Sequence, residues 1–313
     1  MIVTLTANPA LDRTITLGAE LRPGEVQQAL AVREDAGGKG VNVSRAIAAA
    51  ALETVAILPV AADDPYHGVL RAAGVPIRAV PVAHPVRTNT AITDPIGETT
   101  KLNLPGAALA PDETAALIAE VVDASGSADW LVLAGSLPFG AADTFYVEVI
   151  HAVRSRWGTG APRVAVDTSG AALRAVVAHG GADLIKPNED ELAELSGVRP
   201  AEVDLVGSVH LAARGIVPDR VAAALVTLGG AGAVLATADG AWSADAPRIR
   251  VASTVGAGDS ALAGYLIADA SGAGAADRLR SAIRYGAAAA SLSGTQAPAP
   301  ADLGTDAITV RSL

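Results

Sequence analysis

The stretch Ser253-Thr254-Val255-Gly256-Ala257-Gly258-Asp259-Ser260 runs directly into the apolar sequence Ala261-Leu262-Ala263-Gly264-Tyr265-Leu266-Ile267. It reads as a bare glycine turn opening a helix, with a carboxylate in the first turn. Glycines let backbone N–H groups crowd together at a helix start, where unpaired donors and the positive end of the helix dipole favour an anion. A carboxylate there is poorly placed to bind phosphate and well placed to take a proton from a hydroxyl that attacks one. The plainer alternative is that Asp259 only caps a helix after a turn, and this segment alone leaves both readings open.

Outward from this turn, hydrophobic runs and helix-period patterns alternate over most of the chain. That is the pattern of an α/β fold, a mainly parallel sheet covered by helices on both faces. Strands are expected over 2–6, 54–60, 130–134, 163–167, 182–186 and 221–228. Helices are expected over about 41–51, 64–73, 111–124, 142–156, 170–179, 188–196 and 204–214, with starts such as Pro111-Asp112-Glu113. Two stretches, about 12–35 and about 76–105, break the alternation, because the β-prone runs Arg13 to Leu17, Thr88 to Thr93 and Thr99 to Leu104 have no helices between them. They are expected to pair as a small separate sheet. With no tandem repeat and no long linker, residues 1–313 read as a single domain.

Turn clusters stand where strands should end: Asn8-Pro9, Gly37-Gly38, Gly135-Ser136-Leu137-Pro138, Lys186-Pro187-Asn188, Gly229-Gly230 and Gly256-Ala257-Gly258. Ligands of open α/β sheets bind outside the carboxyl ends of the strands, so these clusters point to one cleft. Gly37 to Gly40 lacks the Gly-Lys-Ser/Thr ending of a P-loop, 256–264 lacks the third glycine of a dinucleotide fingerprint, and no Gly-x-Ser-x-Gly elbow occurs.

At 313 residues, half of them hydrophobic, the chain has enough material for a sizeable core without staples. The absence of cysteine excludes disulfides and thiolate zinc sites. Met1 to Pro9 has no basic leader character, and apolar runs such as Ala46 to Ala51 are too short to span a bilayer, so a soluble cytoplasmic protein with no membrane partner is expected. A net charge of −10 argues against a general nucleic-acid binder. An anionic ligand must then be held by a few placed cations. Of the 23 basic residues only three are lysines, Lys39, Lys101 and Lys186. Lys39 and Lys186 lie beside turn residues, where a compact charge suits a phosphate oxygen; Lys101, in a β-prone run, reads as an ordinary surface charge.

Taken in order, Asn8-Pro9-Ala10-Leu11-Asp12, Gly37-Gly38-Lys39-Gly40-Val41-Asn42-Val43, Gly135-Ser136-Leu137-Pro138, Lys186-Pro187-Asn188-x-x-Glu191 and Ser253 to Asp259 closely resemble the PfkB (ribokinase-like) sugar kinases, over nearly the whole chain. Within that family the chain is most similar to the phosphosugar branch of 1-phosphofructokinases, tagatose-6-phosphate kinases and minor 6-phosphofructokinases. Ala252-Ser253-Thr254-Val255 stands where ribokinases carry an acidic residue and two threonines of a monovalent-cation site, and Val41-Asn42-Val43 where they have Ala-Asn-Gln.

The resemblance implies a ribokinase-like fold with a small β-sheet lid, and an enzyme using ATP and Mg²⁺. It implies Asp259 as general base and the backbone of Gly256, Ala257 and Gly258 as the anion hole. Asp12 and Asn42 would hold sugar hydroxyls, Gly37, Gly38 and Gly40 would let the sugar approach backbone, and Arg87, with Lys39, would meet the phosphate already on the sugar. Lys186, Asn188 and Glu191 would organise the nucleotide phosphates and, through water at Glu191, the Mg²⁺; Thr227, Gly229 and Gly232 would line the nucleotide groove. Asn188 and Glu191 also have the spacing of a capping box, and the two roles are compatible. Lids of this kind often pair face to face, so a homodimer through the lid is expected. Glu25 and Gln27 stand where 6-phosphofructokinases carry basic residues, which favours fructose 1-phosphate over fructose 6-phosphate. Tagatose 6-phosphate and an unphosphorylated sugar stay open as acceptors. A dinucleotide-dependent oxidoreductase would need a fingerprint after the first strand, which Asn8 to Asp12 is not, and a non-catalytic sugar-binding protein would differ by releasing no ADP.

Overall fold

The wholly buried run Ile2–Leu5 forms β1, the strand from which the larger sheet grows to both sides. The computed structural model describes residues 1–313, the side chain of Glu202 excepted. Along the chain follow β2 (Ala10–Leu17), β3 (Ala29–Gly37), α1 (Lys39–Ala49), β4 (Thr54–Val60), α2 (Tyr66–Ala72), β5 (Ile77–Pro81), β6 (Arg87–Thr93), β7 (Thr99–Asn103) and α3 (Pro111–Ala124). Next come β8 (Trp130–Ala134), α4 (Phe145–Trp157), β9 (Arg163–Asp167), α5 (Gly170–Ala175, prolonged by a π turn over Val176–Gly180), β10 (Leu184–Ile185), α6 (Glu189–Ser196) and α7 (Leu205–Arg214). The chain ends with β11 (Ala223–Thr227), β12 (Ala233–Thr237), β13 (Gly240–Ala244), α8 (Ala257–Ala270), α9 (Ala275–Ser291) and β14 (Val310–Ser312).

The large sheet has ten strands in the order β14-β13-β12-β11-β10-β9-β8-β1-β4-β5. It is parallel from β11 through β5 and antiparallel from β11 to β14. From β1 the chain first builds outward through β4 and β5, then returns to lay β8 against the other side of β1. The strand order reverses there, and the crevice it opens at the carboxyl ends is where ligands of such sheets bind. Alternation sends Val3, Leu5, Leu131 and Leu133 into the core under α3 to α7, and Ile2 and Val132 into the core under α1, α8 and α9. Each such buried aliphatic side chain contributes about 1.5–3 kcal/mol.

The second sheet has four strands in the order β3-β2-β6-β7, with β2 and β6 parallel and the outer pairs antiparallel. It stands off the main body, tied to it by a small core in which Leu11 and Ala36 meet Val41, Leu58, Val60 and Tyr66.

The expected boundary of the second lid stretch, 76–105, starts too early. Ile77–Pro81 pairs in parallel with Ala56–Val60 and is the edge strand of the large sheet. This edge strand leaves Arg78, Ala79 and Pro81 exposed, so it lacks the continuous apolar run of the central strands and reads like the small sheet. The strand expected over 182–186 shrinks to Leu184–Ile185; at its carboxyl end Pro187 has no N–H for the ladder. Helix α9 and strands β12 to β14 were not among the expected elements.

Candidate active site

Asp259 sits in the first turn of α8 and is buried, with 6% of its surface exposed. The turn before it works because Gly256 is left-handed at φ 77°, a conformation that costs glycine little. No side chain caps α8, whose Ala257 N–H turns back to Thr254 O at 3.5 Å, and Gly256 to Asp259, at the start of the helix, line the cleft. Asn42, on α1, donates from Nδ2 to Asp259 Oδ2 at 2.8 Å. Its own Oδ1 is buried without a partner, an acceptor waiting for a donor from the cleft. Burial raises the Asp259 carboxyl, and the neighbouring Asp167 charge adds to this, against Lys39, Asn42 and Lys186; the result is about 6. Such a carboxylate is ionised at neutral pH and still basic enough to accept a proton.

Asp167, fully buried at the end of β9, is a residue that sequence reasoning missed. Lys39 Nζ lies 2.6 Å from its Oδ1 and Lys186 Nζ 3.2 Å from its Oδ2, so one carboxylate gathers cations from α1 and from the end of β10. Burial alone would raise Asp167, but Lys186 and Lys39 hold it below the usual carboxylate range. Burial likewise opposes the charge on Lys39, and Asp167 and Asp259 overcome it, raising that pKa. The available signal was a charged residue ending the apolar run Val164-Ala165-Val166, at the carboxyl end of a parallel strand.

At the far end of the cleft, Asp12 of β2 lies directly on Gly37, where a Cβ would stand 2.3 Å from its carboxylate; only glycine leaves that space. Burial raises the Asp12 carboxyl, while Asn89 and Arg87 draw it down. Arg87 of β6 is anchored by Nη1 to Leu104 O at 3.0 Å and by Nε to Asn8 O at 3.4 Å. Among the described residues none accepts from Nη2, the remaining arm of the fork. Asn8 in turn donates to Pro105 O at 3.0 Å, Ser136 Oγ at 3.2 Å and Leu137 O at 3.1 Å, which ties three loops together behind Arg87.

Asn188 and Glu191 form the capping box of α6, with Asn188 Oδ1 accepting from Glu191 N at 2.8 Å and Glu191 Oε2 from Asn188 N at 2.9 Å. A cleft of about 850 Å³ brings together Asp12, Gly38, Lys39, Asn42, Arg87, Lys186, Asn188, Glu191, Thr227, Gly229, Gly232 and Gly256 to Asp259. Gly37 does not line it and acts from beneath Asp12. Beyond Thr227 the lining is Ala246, Pro247, Ile249, Val251, Ile283 and Ala290, an apolar slot suited to a flat ring. Glu25 and Gln27 are not in the cleft. They hold their own loop, Glu25 against Arg22 at 3.0 Å and Gln27 between Arg22 N and Glu20 O, so the charge argument drawn from them does not act within one chain.

The model of the pfkB family carbohydrate kinases matches residues 6–302. The chain is 34% identical to 1-phosphofructokinase of Rhodobacter capsulatus over 320 aligned positions, covering 100% of this chain and 98% of that one. Phosphofructokinase-2 from Escherichia coli, in complex with substrates and products, is similar with TM-score 0.88 and 31% identity over 96% of each chain. Arabidopsis thaliana ribokinase shares the fold, with TM-score 0.70 at 20% identity over 96% of this chain and 95% of the other. With a ribokinase-like fold and a family match over nearly its whole length, the chain belongs to the pfkB family of carbohydrate kinases.

Proposed function

We propose that this protein transfers the γ-phosphoryl group of ATP to fructose 1-phosphate, giving fructose 1,6-bisphosphate and ADP. The observation that carries the reading is a buried, basic carboxylate, Asp259, on a glycine turn at an uncapped helix start, in one cleft with the guanidinium of Arg87. The sugar's C6 hydroxyl attacks the γ-phosphorus as the bond to the β-phosphate oxygen breaks, and the hydroxyl proton passes to Asp259. The N–H groups at Gly256, Ala257 and Gly258 face the charge that develops on the transferring group. Asp12 and the free Oδ1 of Asn42 accept from sugar hydroxyls, and Arg87 meets the 1-phosphate. Lys39 enters the cleft already paired with Asp167, so Arg87 carries most of the phosphate's recognition. The 34% identity to a 1-phosphofructokinase supports the choice of acceptor.

Among the described residues no group of three or more His, Cys, Asp or Glu could hold a metal ion. Mg²⁺ keeps several waters and leans on phosphate oxygens with one or two carboxylates, and Glu189 and Glu191 line the cleft. Glu191, at the cleft wall, would hold it through water, and the ion would supply neutralisation of the phosphate charge.

Turnover should appear as Mg²⁺-dependent ADP release when fructose 1-phosphate is added to enzyme and ATP; release no faster than without acceptor would contradict the proposal. Replacing Arg87 by Ala should raise KM for the phosphosugar about ten- to a hundredfold, the worth of one or two charge-assisted hydrogen bonds. KM for ATP should stay within about twofold in steady-state kinetics, since Arg87 lies in the small sheet, away from the nucleotide groove.

The same reading extends to assembly. The face of the small sheet opposite Asp12 carries Val32, Ile15 and Ile92 in one row across β3, β2 and β6, and Leu102 on β7. Val32 and Leu102 are 59% and 57% exposed. Two copies meeting face to face would cover this apolar surface and protect the edge strands. Sedimentation velocity at micromolar protein is expected to show a dimer, and a single monomeric species would contradict the pairing. No helix is long and apolar enough to cross a membrane among the described residues.

A further inference from the structure

Asp35, Asp12, Asn89 and Asn103 occupy a single row across the four strands of the small sheet. Neighbours in a row share a face, and Asp12, Asn89 and Asn103 line the cleft. Asn89 is shared between two groups with different tasks. Its Nδ2 donates to Asp12 Oδ1 at 2.9 Å, and its Oδ1 accepts from Arg87 Nη1 at 3.2 Å. A side-chain amide is the uncharged group that can donate to a carboxylate on one side and accept from a guanidinium on the other. Asp12 and Arg87 are opposite charges close enough to sense one another. With nothing between them they would pair directly, and each would be spent on the other rather than on a ligand.

We infer that Asn89 is a specificity-determining positioning residue, holding Asp12 and Arg87 apart so that a hydroxyl and the existing phosphate of one sugar phosphate are read together. The inference rests on the proposed reaction and adds to it a residue that sets the choice between phosphorylated and free sugar. The side-chain hydrogen bonds of Asn89 go to Asp12 and Arg87 of the small sheet, so the nucleotide half of the cleft should not notice its loss.

The test is steady-state kinetics on the wild type and on Asn89→Ala, Asn89→Asp, Arg87→Ala and the double variant Arg87→Ala/Asn89→Ala, with folding of each checked by thermal unfolding. For Asn89→Ala, kcat/KM for fructose 1-phosphate should fall roughly thirtyfold through KM, with kcat and KM for ATP within about twofold. The preference for fructose 1-phosphate over free fructose should narrow by a similar factor. Asn89→Asp keeps the shape, yet it loses the donor and sets a second carboxylate against Asp12, so it should be worse than Ala; a residue that only filled space would tolerate Asp better. In the Arg87→Ala background the further loss on removing Asn89 should shrink to about threefold or less, because positioning through Arg87 no longer matters. An active wild type whose Asn89→Ala variant keeps both its KM and its preference within twofold would overturn the role of Asn89 alone, as would full additivity in the double variant. A wild type inactive on every phosphohexose would overturn the kinase reading and this inference with it.

Discussion

Asp259→Asn should lower kcat by about 10²–10⁴ or more while leaving the Kd for ATP nearly unchanged. The amide keeps the size of the carboxylate and can keep the contact with Asn42 by presenting its oxygen, but it has no basic site for the attacking hydroxyl's proton. In the wild type, kcat/KM should fall below pH of about 6 as Asp259 takes up a proton. The stability of the variant should move the other way. A carboxyl raised from 3.8 to about 6 makes the native state hold an extra proton across that window, so stability falls as pH rises through it. Asn has no such loss, and at pH 8 the variant should be no less stable than wild type and up to about 3 kcal/mol more so. Near-normal turnover in a folded variant would remove Asp259 as the base; a variant both inactive and markedly less stable would indicate a structural lesion instead.

Asp167→Asn should be among the most destabilising single changes in the cleft. Lys186, only 5% exposed in its side chain, and Lys39 share this one counter-charge. Removing one member of a buried ion pair costs about 3–5 kcal/mol, because the remaining charge is left uncompensated. Asp259 is close enough to take over part of the pairing, so a loss of about 3 kcal/mol in urea unfolding is the expected size. The same change removes a negative neighbour from Asp259, and the acid limb of kcat/KM should therefore shift to lower pH. An unaltered limb would show that Asp167 does not set the Asp259 carboxyl. Asp167 is itself held below the usual carboxylate range, so its contribution to wild-type stability is present above the ordinary Asp value and is lost only as pH falls through the lowered one.

Much of this architecture is legible in the residues, for reasons that differ by element. The central strands are continuous apolar runs such as Val55-Ala56-Ile57-Leu58, as a sheet buried on both faces requires, and their ends are marked by glycine, proline or asparagine. The small sheet announces itself by the lack of helices between β-prone runs. Other elements were missed although signals were present: Asp239-Gly240 sits at the turn of the β12–β13 hairpin, and Leu279, Ala282 and Ile283 of α9 have helical spacing. Alanine-rich runs obscured both. In the cleft, Asp259, Asn42 and Arg87 could be singled out because each stands in a motif. Asp167 has only its place at the end of an apolar run to mark it, and Asn89 has less, since their importance lies in partners on other strands and helices that the sequence does not bring together.

The most direct test of the account is kcat/KM for fructose 1-phosphate, fructose 6-phosphate, tagatose 6-phosphate and free fructose, measured side by side with ATP and Mg²⁺. Fructose 1-phosphate should lead, with free fructose behind it by roughly ten- to a hundredfold for want of the contact to Arg87. A tenfold or greater advantage for either 6-phosphate or for the free sugar would contradict the assignment.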